Sequence, residues 1–143
     1  MKNKFVITRA MQIAIRIAFH KAKNRATHGC TYIADGEYRG KTKSFKITQS
    51  GLLKILQKQN GCCALTGVPL TFVTKATIEK AGAIGDPKKF SPTNVSIDRI
   101  NSRFGYLPNN VQLVTNFANK AKGEMQTEEF VQLCRMVVEN FKS

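Results

Sequence analysis

The sequence predicts a small α+β fold, and three features carry that expectation. Val95, Ile97 and Ile100 surround Asp98 with β-branched side chains, Gly105, Pro108 and Asn109 punctuate a turn, and Val111 to Val114 resumes an extended apolar run. This is the pattern of a hairpin, and the stretch T-N-F-A-N-K-A-K after it reads as a helix. Helical periodicity also marks both ends of the chain. At 143 residues and 42% hydrophobic, the chain can bury one modest core and is too short for two ordinary domains. Residues 1–47 form a basic helix and strand region, and residues 48–143 hold the hairpin, its helix and a C-terminal helix.

In chain order, Thr8 can cap a helix from Arg9 to about Arg25, with Met11, Ile15, Ala18 and Ala22 on one face near Ala14, and Arg16, Lys21 and Lys23 directed elsewhere. Gly29 to Gly40 reads as a turn or short hairpin, and Lys41 to Lys46 as a basic tract. Phe45 to Thr48 alternates like a short strand. Thr48 or Ser50 then caps a core-forming helix through Leu52, Leu53, Ile55 and Leu56, which Asn60-Gly61 stops. Val73 to Asn94 is a long connection of weak pattern, and its Lys75, Lys80, Lys88 and Lys89 suit a loop beside a phosphate backbone. After the hairpin and its helix, Thr127 caps a last helix with Glu128 and Glu129 at its positive end. Phe130, Leu133, Cys134, Val137, Val138 and Phe141 form an apolar side expected to serve as scaffold.

Charge narrows the choice of partner. The net charge is +14, and residues 1–50 hold 11 Lys or Arg against only Asp35 and Glu37. Such a balance attracts polyanions and disfavours cationic substrates. DNA is the expected partner. An anionic membrane is the alternative, but no apolar run reaches transmembrane length and no lipidation motif is present. The start Met1-Lys2-Asn3-Lys4 lacks the apolar core of a signal peptide, so an intracellular protein is expected.

The hairpin and helix hold the chemistry. Asp98 falls near the end of the first strand and Asn119 about one turn into the helix, so a carboxylate and an amide oxygen can face one hard cation. At this point the segment resembles the ββα-metal, or HNH, nuclease motif. It is most similar to the small, mainly phage-encoded branch with a C-A-L-T-G element, here Cys63 to Gly67, and an S-I-D-R-I core, here Ser96 to Ile100. The likeness runs from about Thr48 to Phe130, somewhat over half of the chain. It implies a metal-dependent DNA endonuclease, with Asp98 and Asn119 holding Mg2+ or Mn2+ and Asn110 pinning the loop. Where most of the family places a general-base histidine, this chain has Arg99.

A guanidinium cannot take a proton from water, so Arg99 is expected to clamp the scissile phosphate. The base is then His20, His28 or Tyr106, the first two far upstream and the third in the motif's own loop. Lys120 and Lys122 follow Asn119 and can meet a phosphate oxygen, with Arg103, Lys89, Arg16 and Lys23 as further DNA contacts.

Some relatives brace the fold with four zinc-binding cysteines. Here the matching positions are Cys63, Thr66, Thr115 and Ala118, so structural zinc is not expected, and Cys30, Cys62, Cys63 and Cys134 read as reduced thiols. Two alternatives to the nuclease remain: a catalytically inactive DNA-binding protein on the same scaffold, best supported by Arg99, and a basic RNA-binding phage accessory protein.

Overall fold

The computed structural model describes residues 5–28, 43–85 and 91–142. Among the described residues, five α-helices and a two-stranded antiparallel sheet make an α+β domain: α1 (Arg9–His28), α2 (Gln49–Lys58), α3 (Lys75–Lys80), β1 (Val95–Arg99), β2 (Val111–Thr115), α4 (Asn116–Lys122) and α5 (Thr127–Phe141). The expected hairpin at Gly29 to Gly40, and Cys30, Lys88 and Lys89, lie outside the described residues.

The hairpin of β1 and β2 is the centre of the molecule. Its register sets Val95 against Thr115, Ile97 against Leu113 and Asp98 against Gln112. Leu113 and Val114 are fully buried, and they join Ile97, Ala118, Leu52, Leu56, Ile15 and Ala22 in one hydrophobic core. α1 packs on β1, α2 on β2, and α4 lies across both strands. Burial of these aliphatic side chains, worth about 1.5–3 kcal/mol each for the larger ones, is what holds the hairpin rigid beneath α4.

Capping explains where the helices begin. Thr8 Oγ accepts from Met11 N–H at 3.3 Å to start α1, and Thr48, not Ser50, caps α2 by accepting from Gly51 N–H at 3.0 Å. α2 ends where Asn60 and Gly61 adopt φ of 55° and 72°, the left-handed geometry for which glycine and asparagine are the usual residues. Thr115, the last residue of β2, caps α4 by accepting from Ala118 N–H at 3.1 Å. Strand and helix therefore meet with no linker, which fixes the pitch of α4 on the sheet.

Three expectations are corrected. Phe45 to Thr48 is not a strand: Phe45 makes a single bridge to Tyr106, and the N–H groups of Lys46 and Ile47 both donate to Tyr106 O. The connection from Val73 to Asn94 contains α3, because Thr74 and Thr77 form a reciprocal capping box. Threonine replaces the glutamate or glutamine that usually marks the third helical position of such a box, so the start signal was hidden. The last helix is capped at Gln126, not Thr127, and none of its residues is buried. Its apolar side does not brace the core.

Candidate functional site

Asp98 faces α4 from β1, and an ammonium and an amide N–H meet its carboxylate. Lys122 Nζ stands 3.1 Å from Oδ1, and Gln112 Nε2, from the cross-strand neighbour, donates to Oδ2 at 2.9 Å. Lys122 Nζ also donates to Arg99 O at 2.9 Å. The ion pair is sealed, with side-chain exposure of 0% for Lys122 and 3% for Asp98. Lys122 is therefore no surface phosphate ligand. Its aliphatic stem fills the seam between α4 and β1, and its ammonium is spent on Asp98.

Asn119, one turn before Lys122, lies over the preceding part of the same strand. Its Nδ2 donates to Ser96 Oγ at 2.7 Å and to Ile97 O at 3.3 Å. Its side-chain carbonyl oxygen accepts from no described residue. The spacing of three between Asn119 and Lys122 puts both on one helical face, and that face runs along β1.

The loop from Ile100 to Asn110 closes one end of the site. Asn110 is its clip: Oδ1 accepts from Asn101 N–H at 3.0 Å, while Nδ2 donates to Asn101 O at 3.0 Å and to Gly105 O at 2.9 Å. Gly105 is required there because a Cβ would collide with the Ser44 carbonyl oxygen, to which Tyr106 N–H donates at 2.8 Å. Arg99 lies across this loop. Its Nη1 donates to Ser102 O at 2.9 Å and Phe104 O at 3.3 Å, and its guanidinium sits 5.4 Å from the centre of the Tyr106 ring. With both hydrogens of Nη1 engaged, the Nε and Nη2 edge is the part left for a ligand.

Ser96, Asp98, Arg99, Tyr106, Asn119 and Lys120 line a cleft of about 760 Å³. Arg25 enters it from α1. It also lines a neighbouring cavity of about 320 Å³ with Ala14, Ala18, Lys21 and Lys75. Positions 14, 18, 21 and 25 are spaced by four, three and four, one stripe of a helix. Arg25 was missed in the sequence although it continues the alanine stripe; its charge hid its place on the sheet-facing side.

The remaining expected residues are scattered. Arg16 lines a separate cavity with Arg9, Gln49 and Leu53. Lys23 and Arg103 are exposed and line none of these cavities. Lys89 lies outside the described residues. His20 is exposed on α1, edge-on to Phe19 with ring centres 5.3 Å apart, and does not line the cleft. The side chain of His28 lies outside the described residues. Tyr106 lines the cleft but is only 6% exposed beneath Arg99.

The donor set fits a hard divalent cation in part of its chemistry. A carboxylate offers about four lone-pair positions and two are taken here, so Asp98 retains acceptor capacity beside the uncommitted oxygen of Asn119. Oxygen donors of this kind suit magnesium-like ions. The charge balance differs, since Lys122 already neutralises Asp98. Any cation at this wall meets a net positive cleft, lined by Arg25, Arg99 and Lys120, until a phosphate supplies negative charge.

The four positions matching zinc ligands, Cys63, Thr66, Thr115 and Ala118, converge in one hydrogen-bonded corner. Cys63 Sγ accepts from Thr115 N–H at 3.3 Å, and Thr115 in turn caps Ala118. Burial pushes the Cys63 thiol up, but hydrogen bonds from the Thr66 side chain and from the backbone of Thr115, Thr66 and Leu65 outweigh it, and the net shift is downward. Hydrogen bonding thus ties this corner together where one thiol and two hydroxyls would make a poor zinc ligand set. Among the described residues, Cys62, Cys63 and Cys134 are free thiols.

No family model, curated protein or solved structure matches this chain.

Proposed function

We propose that the protein binds DNA along the cleft between α1, β1 and α4 and acts there as a metal-dependent endonuclease of the ββα-metal type. The observation that carries this reading is the convergence of Asp98 and Asn119 on one wall of a cleft that Arg25, Arg99 and Lys120 also line. Acidic and amide oxygens amid cations suit a phosphodiester approached by a divalent ion. Among the described residues, no helix is long and apolar enough to cross a membrane.

In this reading Arg99 presents its Nε and Nη2 edge to the scissile phosphate, held in aim by the Ser102 and Phe104 carbonyls. Lys120 and Arg25 neutralise flanking phosphates. Asp98 and Asn119 would hold the Mg2+ or Mn2+, which would supply positive charge against the phosphate and the leaving oxygen. Gln112 and Lys122 fix the Asp98 carboxylate in one orientation. Among the candidate bases whose side chains are described, His20 does not line the cleft and Tyr106 does.

One observation favours a second reading. The sealed Asp98–Lys122 pair gives the carboxylate an internal cation, as a DNA-binding protein without catalysis would tolerate. Supercoiled plasmid incubated with magnesium or manganese, with and without chelator, separates the two. Nicking that requires the metal and is lost in the double variant Asp98→Asn, Lys122→Met, which leaves no stranded buried charge, supports the nuclease. DNA binding with no nicking on plasmid, linear or single-stranded DNA leaves the binding protein.

A further inference from the structure

A cavity of about 320 Å³ adjoins the cleft, and Arg25, Ser96, Ile97 and Asn116 line both spaces. Ile17 and Ala18 of α1, Val73, and Val95 and Ile97 of β1 make its wall largely aliphatic. A concave space with a few polar groups set in an apolar wall has the form of a ligand site. Two of those groups have hydrogen-bonding capacity to spare. The Asn116 carboxamide makes no hydrogen bond to a described residue, and Ser96 Oγ accepts from Asn119 Nδ2, which leaves its own hydrogen to donate.

Charge narrows the occupant. Lys21, Arg25 and Lys75, all exposed residues, line the cavity, and no Asp or Glu is among the described residues that do. Lys21 and Arg25 pair with no described acid, and Lys75 is held only loosely, 3.8 Å from Glu79 with both side chains largely in solvent. An apolar space edged by three cations suits a ligand that is weakly polar at one end and anionic at the other. An acyl chain with an acidic head would satisfy the walls and the cations, but it offers Asn116 and Ser96 no partner. A nucleotide offers all three: a ring for the walls, a hydrogen-bonding edge for the carboxamide and hydroxyl, and a phosphate for the cations. The shared wall with the cleft supplies the strand to which that nucleotide belongs. A base reaches a space beside the strand only by leaving its stack, and apolar side chains with hydrogen bonds to the base edge are what hold such a base.

We infer that the cavity between α1, β1 and Val73 receives one unstacked base of the DNA strand bound in the cleft, with Asn116 and Ser96 on the base edge and Lys21, Arg25 and Lys75 beside its phosphates. The inference rests on the reading of the cleft as a DNA site and not on cleavage. Anisotropy titration of the full chain in chelator, so that no strand is cut, tests it with two labelled probes: a short single strand of mixed sequence, and an abasic strand with the same number of phosphates. Wild type is expected to bind the base-bearing strand roughly tenfold more tightly. Ala18→Leu, which fills the cavity from α1 and keeps a good helix former, should abolish that preference. Asn116→Ala, which removes a side chain that makes no bond in the fold, should reduce it, with circular dichroism unchanged in both variants. Equal binding of the two strands by wild type overturns the base site and leaves the DNA cleft standing, whereas binding of neither strand overturns both. A preference for bases that survives Ala18→Leu and Asn116→Ala also overturns it, since the base then sits elsewhere. A deoxynucleoside monophosphate that displaces the strand at equal concentration would make this a free-nucleotide site and overturn the assignment to DNA.

Discussion

The Asp98–Lys122 pair is where the local physics of the site is most constrained. Removing one partner of a buried pair typically costs about 3–5 kcal/mol, because the other charge is left uncompensated in the interior. Asp98→Ala would therefore strand an ammonium, and its effect on cleavage would mix chemistry with folding. Lys122→Met is the cleaner probe, since it keeps the stem that fills the seam. It should lower stability without metal, and it should bind manganese more tightly without DNA, because the carboxylate is no longer neutralised. The measurement is the thermal shift on adding manganese, expected to be larger in Lys122→Met than in wild type. Equal shifts in the two proteins would mean that Asp98 does not hold the ion. The double variant Asp98→Asn, Lys122→Met removes both charges and should recover much of the stability while showing no metal-induced shift.

Arg99 sits beside that pair with a different task. Two of its donors are spent on loop carbonyls, so its position is set before any ligand arrives. A guanidinium so preorganised should act more on the transition state than on ground-state DNA, and Arg99→Ala should lower turnover on the order of 100-fold while changing DNA affinity little. Steady-state kinetics combined with anisotropy titration reads the split. A loss confined to affinity would make Arg99 a binding residue only. The sequence placed Asp98, Asn119 and Arg99 near one another because strand and helix are adjacent in the chain. It misplaced Lys122, since a lysine next to an expected DNA site reads as surface until the helical phase relative to β1 is known.

At the level of elements, the loop between the strands depends on one side chain. Asn110 makes three hydrogen bonds to loop backbone and is 7% exposed, so no water can replace them cheaply. Asn110→Ala should cost about 1–3 kcal/mol, seen as a lower urea midpoint with an unchanged slope, and should also misplace Arg99. A stability unchanged from wild type would contradict the clip. Elements with local signals were legible in the sequence: α1 and α2 from their caps and apolar stripes, β1 and β2 from β-branched runs around a turn. α3 was not, because its capping box is built from two threonines in a segment otherwise rich in lysine, glycine and proline. α5 was read correctly as an amphipathic helix and wrongly as core, since periodicity shows that a face is apolar but not what covers it.

Across the whole molecule, the basic charge is spread over several surfaces, and the fold decides which part of it acts together. Arg25, Arg99 and Lys120 line the cleft, and Lys21 and Lys75 line the adjoining cavity that shares Arg25. Arg16 stands by a different cavity, and Lys122 is internal. Net charge alone would suggest a very steep salt dependence, whereas the surface geometry sets a limit. Each phosphate neutralised contributes about −0.9 to the slope of log affinity against log salt on duplex DNA, so three cleft cations give a slope of about −3 and all five about −4 to −5. Anisotropy titrations of a short duplex over a series of salt concentrations measure this directly. Arg25→Ala should make the slope about one unit shallower, while Arg16→Ala should leave it unchanged, because only the first residue belongs to the cleft. A slope near zero would remove nucleic acid as the partner. Equal effects from Arg25→Ala and Arg16→Ala would show that the diffuse charge of the molecule, and not this cleft, holds the DNA.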